Sequence, residues 1–499
     1  MGVAVPLIAC SALTAGAILL TAPRARAWST LLALLTAPAL LAATVWDVPA
    51  FEDLRGRPLL LAGVLAAGLV VVAAGAALFA RRPELLAIAA AAALPFRVPI
   101  SVEGSVSNLL VPLYLVIAAG ALAYALPRIT GEIERYEPER RPRALEWLLA
   151  LALVLYAVQS AGSLDTEKAV EQAVFFLIPF GLLFAQLARL PWTRDLAGKV
   201  LGVLVLLALA FAAIGFVEYA TRHLLLNPKV IASNQVEESF RVNSLFFDPN
   251  IYGRFLVVVM LCVTTVLLWA TRKRTITFTA LVLAVLWAGL VLTLSQSSFA
   301  ALLAGLAVLG GLRWSPKWAV AGVAGALLAA VVLVVAAPGH LGVDVSGRDA
   351  FNDTTSGRYD LIAGGVGLIA DAPLTGHGSG SFSRAYLRAE DGGAERAVSA
   401  SHTTPVTVAA EQGVIGLLVY LALVVVALVT FLRGAGSDPV RVAVAAAFAA
   451  IVVHSLSYAA FFEDPLTWVL AAVGLAAVAG PAAVPAARPV PTGIPLSEP

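Results

Sequence analysis

The amino-acid sequence predicts an all-α polytopic membrane protein with roughly 13–15 transmembrane helices, at about 20 apolar residues for each crossing. Three observations predict this class: the composition, a series of long apolar segments, and the alternation of basic loops between them. Of the 499 residues, 60% are hydrophobic and only 13% are charged. Soluble proteins carry about a quarter charged residues, so lipid must be the main solvent of this chain.

The apolar segments give the order of the helices. They lie near residues 3–22, 28–46, 59–80, 84–97, 109–126, 144–161, 170–188, 199–218, 251–270, 276–294, 297–312, 318–337, 405–432, 441–461 and 466–484. Segment 84–97 is short, and it could be a half-helix. The first segment lacks a basic residue before Arg24, which favours a retained helix over a cleaved signal peptide.

Basic residues orient the helices, because cytoplasmic loops are enriched in lysine and arginine. Every second loop is basic, and the residues concerned are Arg24, Arg26, Arg81, Arg82, Arg128, Arg135, Arg140, Arg141, Arg143, Arg194, Lys199, Arg272, Lys273, Arg274, Arg313, Lys317, Arg433 and Arg441. The other loops, including 219–250 and 338–404, are predicted to be external.

The chain then divides into five regions. These are N-terminal helices at 1–126 with an accessory unit at the start, central helices at 144–337 with the external loop 219–250, a large external loop at 338–404, C-terminal helices at 405–484, and a Pro-rich tail at 485–499. The large loop is far longer than packing requires, which is typical of a functional loop. The tail is predicted to be disordered.

Composition also excludes several functions. A net charge of +2 gives no reason to expect a nucleic-acid partner. Cys10 and Cys262 both lie in apolar segments, so neither a disulfide framework nor a thiolate metal site is expected. No set of His, Asp and Glu has metal-ligand spacing, and no metal or other cofactor is predicted.

A first polar cluster lies at the head of segment 251–270. It contains Arg241 and the turn Asp248-Pro249-Asn250, which is a helix-start signal. Arg254 follows about one turn into the apolar helix, where an arginine is costly unless it is paired or hydrated. It could pair with Asp248 or reach the interface, or it could face a polar cavity and bind an anion.

A second cluster lies in the large loop. Ser356 and Arg358 precede an apolar stretch that is too short to cross a bilayer and is predicted to form an interfacial helix. A glycine-rich run around His377 follows, and it would let backbone approach a ligand closely. The alternative is that this region has no binding function and is a surface helix followed by an ordinary loop, with Arg358 exposed to solvent.

A third cluster contains Ser401 and His402, just before Pro405, which suits the first turn of a helix. A histidine held at the membrane surface is suited to general base work, although a structural role is equally compatible with its spacing. Glu411 lies about two turns into the same helix and needs a partner, either a buried ion pair or a site group.

From about residue 200 to 475 the chain resembles the bacterial O-antigen ligase and O-antigen polymerase superfamily. The residues that carry the resemblance are Arg241, Pro249, Asn250, Gly253, Ser356-Gly357-Arg358, Pro373-Leu374-Thr375-Gly376-His377-Gly378, Ser401-His402 and Glu411-Gln412-Gly413-Val414-Ile415-Gly416. The chain departs from the family pattern at Thr403, where asparagine is usual, and at Ser297-Ser298-Phe299, where Ser-Arg-Gly is common.

The resemblance implies a GT-C-like membrane glycosyltransferase of the cell envelope, acting in polysaccharide biosynthesis on the external face of the bacterial cytoplasmic membrane. Its partners would be a glycan donor linked to polyprenyl diphosphate, such as undecaprenyl diphosphate, a glycan or lipid-glycan acceptor, and membrane lipids. Ligase and polymerase activity both fit the resemblance.

The residue roles follow from that chemistry. His402 would take the proton from the acceptor hydroxyl, with inversion at the anomeric carbon. Arg358, Arg241 and Arg254 would clamp the departing diphosphate, because arginine binds phosphate in bidentate geometry. His377 would contact the substrate, whereas Glu411 and Asn250 would support the site, and no metal ion would be needed.

Two alternatives stay open at this point. One is a glycosyltransferase that uses a polyprenyl-phosphate sugar and takes its base from Asp47 or from Glu52 and Asp53 in the first outer loop. The other is a lipid-glycan flippase or secondary transporter, in which Arg254, Glu411 and His454 would mark a translocation path.

Overall fold

A computed structural model describes the chain at residues 3–44, 56–102, 105–131, 141–225, 240–317, 358–389 and 400–479, and at residues 322, 324 and 325. The helices in these ranges are α1 (Ala4–Leu19), α2 (Pro23–Thr44), α3 (Pro58–Arg81), α4 (Glu84–Ala93), α5 (Val111–Ile129), α6 (Ala144–Gln159), α7 (Thr166–Gln172), α8 (Ile178–Leu187), α9 (Arg194–Thr221), α10 (Pro249–Trp269), α11 (Lys273–Thr293), α12 (Gln296–Arg313), α13 (Arg358–Asp371), α14 (Phe382–Ala389), α15 (Thr404–Leu432), α16 (Pro439–Ser455) and α17 (Pro465–Ala479). A π-helical turn at Ala173–Leu177 joins α7 to α8.

The predicted all-α polytopic class is confirmed. Among the described residues, ten helical segments are long and apolar enough to cross a membrane, and α1, α4, α16 and α17 are shorter apolar helices. The half-helix expected within 84–97 is α4, which has 10 residues. The predicted segment 318–337 falls almost entirely outside the described residues.

One element differs from the sequence prediction. An antiparallel hairpin joins β1 (Val98–Val102) to β2 (Ser105–Leu109) between α4 and α5. In β1, valine and isoleucine alternate with proline and serine, a pattern of period two that suits a strand better than a helix. A hydropathy profile alone does not distinguish such a short hairpin from the apolar segment beside it.

Local signals in the sequence set where several helices begin. The Asp248 side chain caps α10 by accepting a hydrogen bond from the Asn250 N–H at 2.6 Å. Ser295 caps α12, and Asp438 caps α16. Pro405 lies in the first turn of α15, as predicted. Such caps satisfy N–H groups that have no partner within the helix.

Long-range contacts gather several helix ends at one end of the bundle. The Arg241 Nε donates to the Thr293 carbonyl at the end of α11, at 3.1 Å. Ser297 at the head of α12 lies 3.1 Å from the imidazole of His454, near the end of α16. Most polar side chains of the three predicted clusters lie at this end, which the loop charges predict to be external.

Candidate active site

Helix α15 is broken at Gly413, and this break positions the rest of the site. Gly413 has φ 65° and ψ −166°, a conformation that is essentially restricted to glycine. The break leaves carbonyl groups without partners in the helix. Backbone N–H groups of the glycine-rich loop satisfy two of them: His377 donates to Ala410 at 3.0 Å, and Gly378 donates to Glu411 at 2.8 Å.

The hydrogen bonds between residues 373–378 and α15, here called the interlock, continue on the C-terminal side of the break. The Val414 N–H donates to the Pro373 carbonyl at 2.8 Å. The Gln159 side chain donates to the Gln412 carbonyl at 3.1 Å and to the Thr375 carbonyl at 3.3 Å. The two motifs that carried much of the resemblance, residues 373–378 and 411–416, are therefore one structural element.

The Glu411 carboxylate completes this element. It is 5% exposed and accepts hydrogen bonds from the N–H groups of Gly380 at 2.9 Å and Phe382 at 3.2 Å. Phe382 begins α14, so the buried carboxylate lies at the positive end of that helix. Among the described residues no cation pairs with Glu411, and backbone N–H groups hold its carboxyl group in place of the ion pair considered from the sequence.

A second contact fixes the glycine-rich loop to the segment between α6 and α7. Ser163 donates to the Ser379 carbonyl at 2.8 Å. Arg384 of α14 forms an ion pair with Asp165 at 2.8 Å. The large loop is thus anchored both to α15 and to the central helices, and its described part is folded.

His402 lies directly before α15 in a left-handed conformation, with φ 63°. This conformation is uncommon for a residue other than glycine, and it is held in place by its neighbours. The Ser401 Oγ donates to the Thr403 carbonyl at 2.9 Å, and the Ser401 N–H donates to the Thr407 hydroxyl at 3.1 Å. The imidazole is half-buried at the head of a rigid helix.

A pocket of about 60 Å³ lies beside this segment. Its lining includes Ala400 and Thr404, which flank His402 in sequence, together with Glu411 and Glu463. The pocket brings the start of α15 next to the turn between α16 and α17.

Arg241 and Asn250 meet at the head of α10, as the first cluster suggested. Arg241 donates to the Asn250 side-chain oxygen at 3.4 Å, and Ser295 donates to the same oxygen at 2.7 Å. Ser298, where the related family often has arginine, is buried against the Asn250 carbonyl. A serine network therefore occupies the place of that arginine.

Arg254 forms an ion pair, but its partner is not the Asp248 considered from the sequence. Its Nε lies 2.6 Å from Asp464 at the head of α17, and the two side chains are 3% and 4% exposed. Asp248 instead caps α10 and accepts a hydrogen bond from the Tyr458 hydroxyl at 3.1 Å.

Sequence reasoning missed three charged residues at this place: Arg97, Glu463 and Asp464. Burial lowers the pKa of the Arg97 guanidinium, and the nearby Asp464 opposes that change. Burial raises the pKa of Glu463 to about 7. A signal was present, because Glu463 and Asp464 are adjacent carboxylates in the short segment before Pro465 that links two apolar segments.

Several predicted site residues cannot be placed. Helix α13 begins at Arg358, but the side chain of Arg358 lies outside the described part of the chain, as do Ser356, Asp47, Glu52 and Asp53. The His377 side chain is described, and its Nε2 lies 3.1 Å from the Leu368 carbonyl. A substrate contact of His377 and the diphosphate clamp stay predictions.

Comparison with known proteins bears on the same residues. Residues 280–421 match a family model described as O-Antigen ligase. A comparison with curated proteins gave no match. The matched segment contains the glycine-rich loop, His402 and the broken part of α15, and it supports a membrane enzyme that transfers glycans. The match confirms the resemblance of this chain to the O-antigen ligase and O-antigen polymerase superfamily.

Proposed function

We propose that this protein transfers a glycan from a polyprenyl diphosphate carrier to an acceptor hydroxyl, in the manner of an O-antigen ligase or polymerase. The observation that carries the proposal is the interlock of residues 373–378 with the break at Gly413. The interlock fixes α15, and His402 lies directly before that helix, next in sequence to the pocket that Glu411 lines, within the segment that matches the O-Antigen ligase family model.

His402 acts as the general base in this proposal. Its imidazole removes the proton of the acceptor hydroxyl as the oxygen attacks the anomeric carbon of the donor sugar. The bond from that carbon to the diphosphate oxygen breaks, and attack from the opposite face inverts the configuration. Support comes from the left-handed backbone of His402, since such conformations are concentrated at functional sites.

The leaving diphosphate carries its own negative charge and needs no general acid. Fixed guanidinium groups stabilise that charge without losing a proton. Arg241 is half-buried and held by Thr293 and Asn250, so its orientation is set before substrate binds. Arg254 acts in this proposal together with Asp464, and Arg358 supplies a further positive charge from the large loop.

The transport alternative is less well supported, because the three residues that would line a translocation path do not form one. Glu411 is held by backbone N–H groups, Arg254 is paired with Asp464, and His454 contacts Ser297. Transporter sites usually lie near the bilayer midplane. These contacts gather instead at one end of the bundle, which we propose is the external face of a bacterial cytoplasmic membrane.

The decisive experiment is reconstitution of the purified protein with extracted lipid-linked glycans. We expect the glycan to move from its lipid to an acceptor, and the size of the product distinguishes ligation from polymerisation. Lipid-linked glycan that crosses the bilayer without forming a new glycosidic bond would establish the transport alternative.

A further inference from the structure

A further cavity lies at the opposite end of the bundle from the candidate active site. Its volume is about 380 Å³, which is within the range of ligand pockets. The lining residue Pro191 comes three residues before α9, and near the far end of α9 the Glu218 carboxyl group accepts from the Ser244 N–H at 2.7 Å. Ser244 follows Arg241 by three positions. The length of α9, about 40 Å at 1.5 Å per residue, therefore separates the two places.

Three arginines line this cavity. They are Arg26 on α2, Arg128 on α5 and Arg189 just after α8, so three separate parts of the chain contribute them. Arg26 is 6% exposed, which is rare for an arginine. Among the described lining residues, Glu84 is the one acid, and it is exposed. The described lining therefore carries an excess of positive charge.

Two of the guanidinium groups are held around one tyrosine. The Arg26 Nε donates to the Tyr124 hydroxyl, and the guanidinium carbon of Arg26 lies 5.2 Å from the centroid of the Tyr124 ring. The guanidinium carbon of Arg128 lies 4.0 Å from the same centroid, and its Nη1 donates to the Tyr124 carbonyl at 2.9 Å. Two like charges held at one ring repel each other, and an anion beside them lowers that repulsion.

The third guanidinium group is oriented by helix ends. The Arg189 Nη1 donates to the Ala185 carbonyl and its Nη2 donates to the Ile18 carbonyl, both at 2.7 Å. Basic side chains often bind the last carbonyl groups of helices. Such capping explains each of these hydrogen bonds separately, but it does not explain an open volume that all three arginines line.

The remaining wall of the cavity is largely apolar. It contains residues of α1, α3, α5 and α8 and of the segment after α8, among them Ala17, Phe79, Ala123, Leu182 and Leu190. The lining residues Ala80 and Pro83 are exposed, so the cavity lies at the surface of the bundle. It lies beside the short basic loops that are predicted to be cytoplasmic. One wall is therefore suited to an anion and the other to hydrocarbon.

We propose that this cavity binds an anionic phospholipid of the cytoplasmic leaflet. Its phosphate lies at Arg26, Arg128 and Arg189, and the start of its acyl chains lies against the apolar wall. Arginine binds phosphate in bidentate geometry, and basic pockets between transmembrane helices on the cytoplasmic side bind anionic headgroups. The bound lipid bridges α2 and α5 of the N-terminal region to the end of α8 in the central region.

The first test is native mass spectrometry of the full-length protein in detergent, with phosphatidylglycerol and phosphatidylethanolamine added in equal amounts. Both lipids carry a phosphate and two acyl chains, and they differ in net charge. We expect the protein to retain phosphatidylglycerol preferentially. Equal retention of the two lipids would contradict an anion site.

Substitution Arg128→Gln should weaken the binding of phosphatidylglycerol about tenfold. The printed backbone contact of Arg128 lies within its own helix, so the variant is expected to fold. The matched control is Arg81→Gln, because Arg81 is exposed at the same end of the bundle and is absent from the described lining. Equal binding by the two variants would overturn the proposal.

A second pair of variants blocks the cavity without removing a charge. Ala80 is exposed and lines the cavity, whereas Ala77, three positions earlier on α3, is exposed and does not belong to the described lining. We expect Ala80→Phe to weaken the binding of phosphatidylglycerol about tenfold and Ala77→Phe to bind it as the wild type does. Unchanged binding by Ala80→Phe would place the lipid elsewhere.

A competition experiment separates a lipid from a soluble anion. Glycerol phosphate and inorganic phosphate, each in large excess, should not displace phosphatidylglycerol, because they lack the acyl chains that contact the apolar wall. Displacement would assign the cavity to a soluble phosphate and overturn the lipid. Phosphatidylglycerol should also raise the melting temperature of the wild type but not of Arg128→Gln, and an equal rise in both would contradict binding at this cavity.

Discussion

The two halves of the candidate site are built in different ways. Around His402 and Glu411, backbone groups make most of the contacts, and glycines allow the close approach between the large loop and α15. Around Arg254, side chains from distant helices meet in an ion pair and a serine network. The first half depends on backbone geometry, and the second depends on compensation of buried charge.

The two halves therefore differ in the substitutions that they tolerate. A glycine with a restricted conformation tolerates almost no substitution, whereas a buried ion pair can be exchanged as a whole for apolar residues. Experiments that separate stability from activity therefore have different outcomes in the two halves.

The largest effect is expected at His402. Substitution His402→Ala removes the proposed base and should lower the rate of glycan transfer by about 10²–10⁴-fold, with folding and donor binding nearly unchanged. Transfer assays on the reconstituted variant, with a thermal unfolding scan as control, check this. A variant that keeps about half its activity, beside inactive Asp47→Ala or Asp53→Ala, would move the base to the first outer loop.

The next effect concerns the Arg254–Asp464 pair. Removing one partner leaves a buried charge, so Arg254→Met or Asp464→Asn alone should destabilise the protein by about 3–5 kcal/mol. The double variant Arg254→Met with Asp464→Leu should recover most of that stability. Thermal unfolding measures this part of the prediction.

The transfer activity of the double variant tests whether Arg254 also binds the diphosphate. If Arg254 stabilises the leaving diphosphate, the double variant should fold and remain inactive. Recovery of both folding and transfer would show that the pair only holds α10 against α17, and Arg254 would then lose its place in the clamp.

Gly413→Ala tests the half of the site built from backbone. The alanine Cβ would lie about 2.3 Å from the backbone of Leu374, and the conformation itself is strained for any L side chain. The strain costs about 1–3 kcal/mol before the steric contact is counted. A lower melting temperature is expected, with Gly68→Ala on α3 as control, since no atom lies near that position. Equal melting temperatures would mean that the interlock is not a rigid support.

A smaller effect should appear in the pH dependence of stability. Burial raises the pKa of Glu463 to about 7, although the positive charges of Lys168, Arg254 and Arg97 act to lower it. The folded state then binds more protons than the unfolded state, so this residue lowers stability as pH rises from about 4.5 towards 7. Glu463→Gln should remove that loss.

The measurement compares melting temperatures of wild type and variant at about pH 5 and about pH 8. The advantage of Glu463→Gln should be greater at the higher pH. The exposed Glu167→Gln is the control and should show no such trend. A trend of the opposite sign would mean that Glu463 is held in its charged form by the arginines.

Much of the fold was predictable, because apolar length, basic loops and helix-start signals act locally. Asp248 and Pro405 begin helices where the sequence places them. The hairpin at 98–109 was not anticipated, since two short strands leave little trace beside apolar helices.

The site was predictable to the extent that its geometry is local. His402 before Pro405 follows from a motif and a helix start. The partner of Arg254 does not, because Asp464 lies 210 positions later in the chain, and only the packing of α10 against α16 and of α16 against α17 brings it close. Likewise, no local rule predicts that α15 breaks at Gly413 or that residues 373–378 bind at the break.

The smallest effect is expected from removal of divalent cations. In the proposed mechanism arginines provide the positive charge that a metal ion would otherwise give to the diphosphate, and arginine keeps its proton under all relevant conditions. Saturating chelator should therefore leave the rate of glycan transfer unchanged in the reconstituted system. A rate that falls with chelator and returns with magnesium or manganese would reject the arginine mechanism. The acidic residues of the first outer loop, Asp47, Glu52 and Asp53, would then be the next to substitute, since carboxylates are the ligands that such cations prefer.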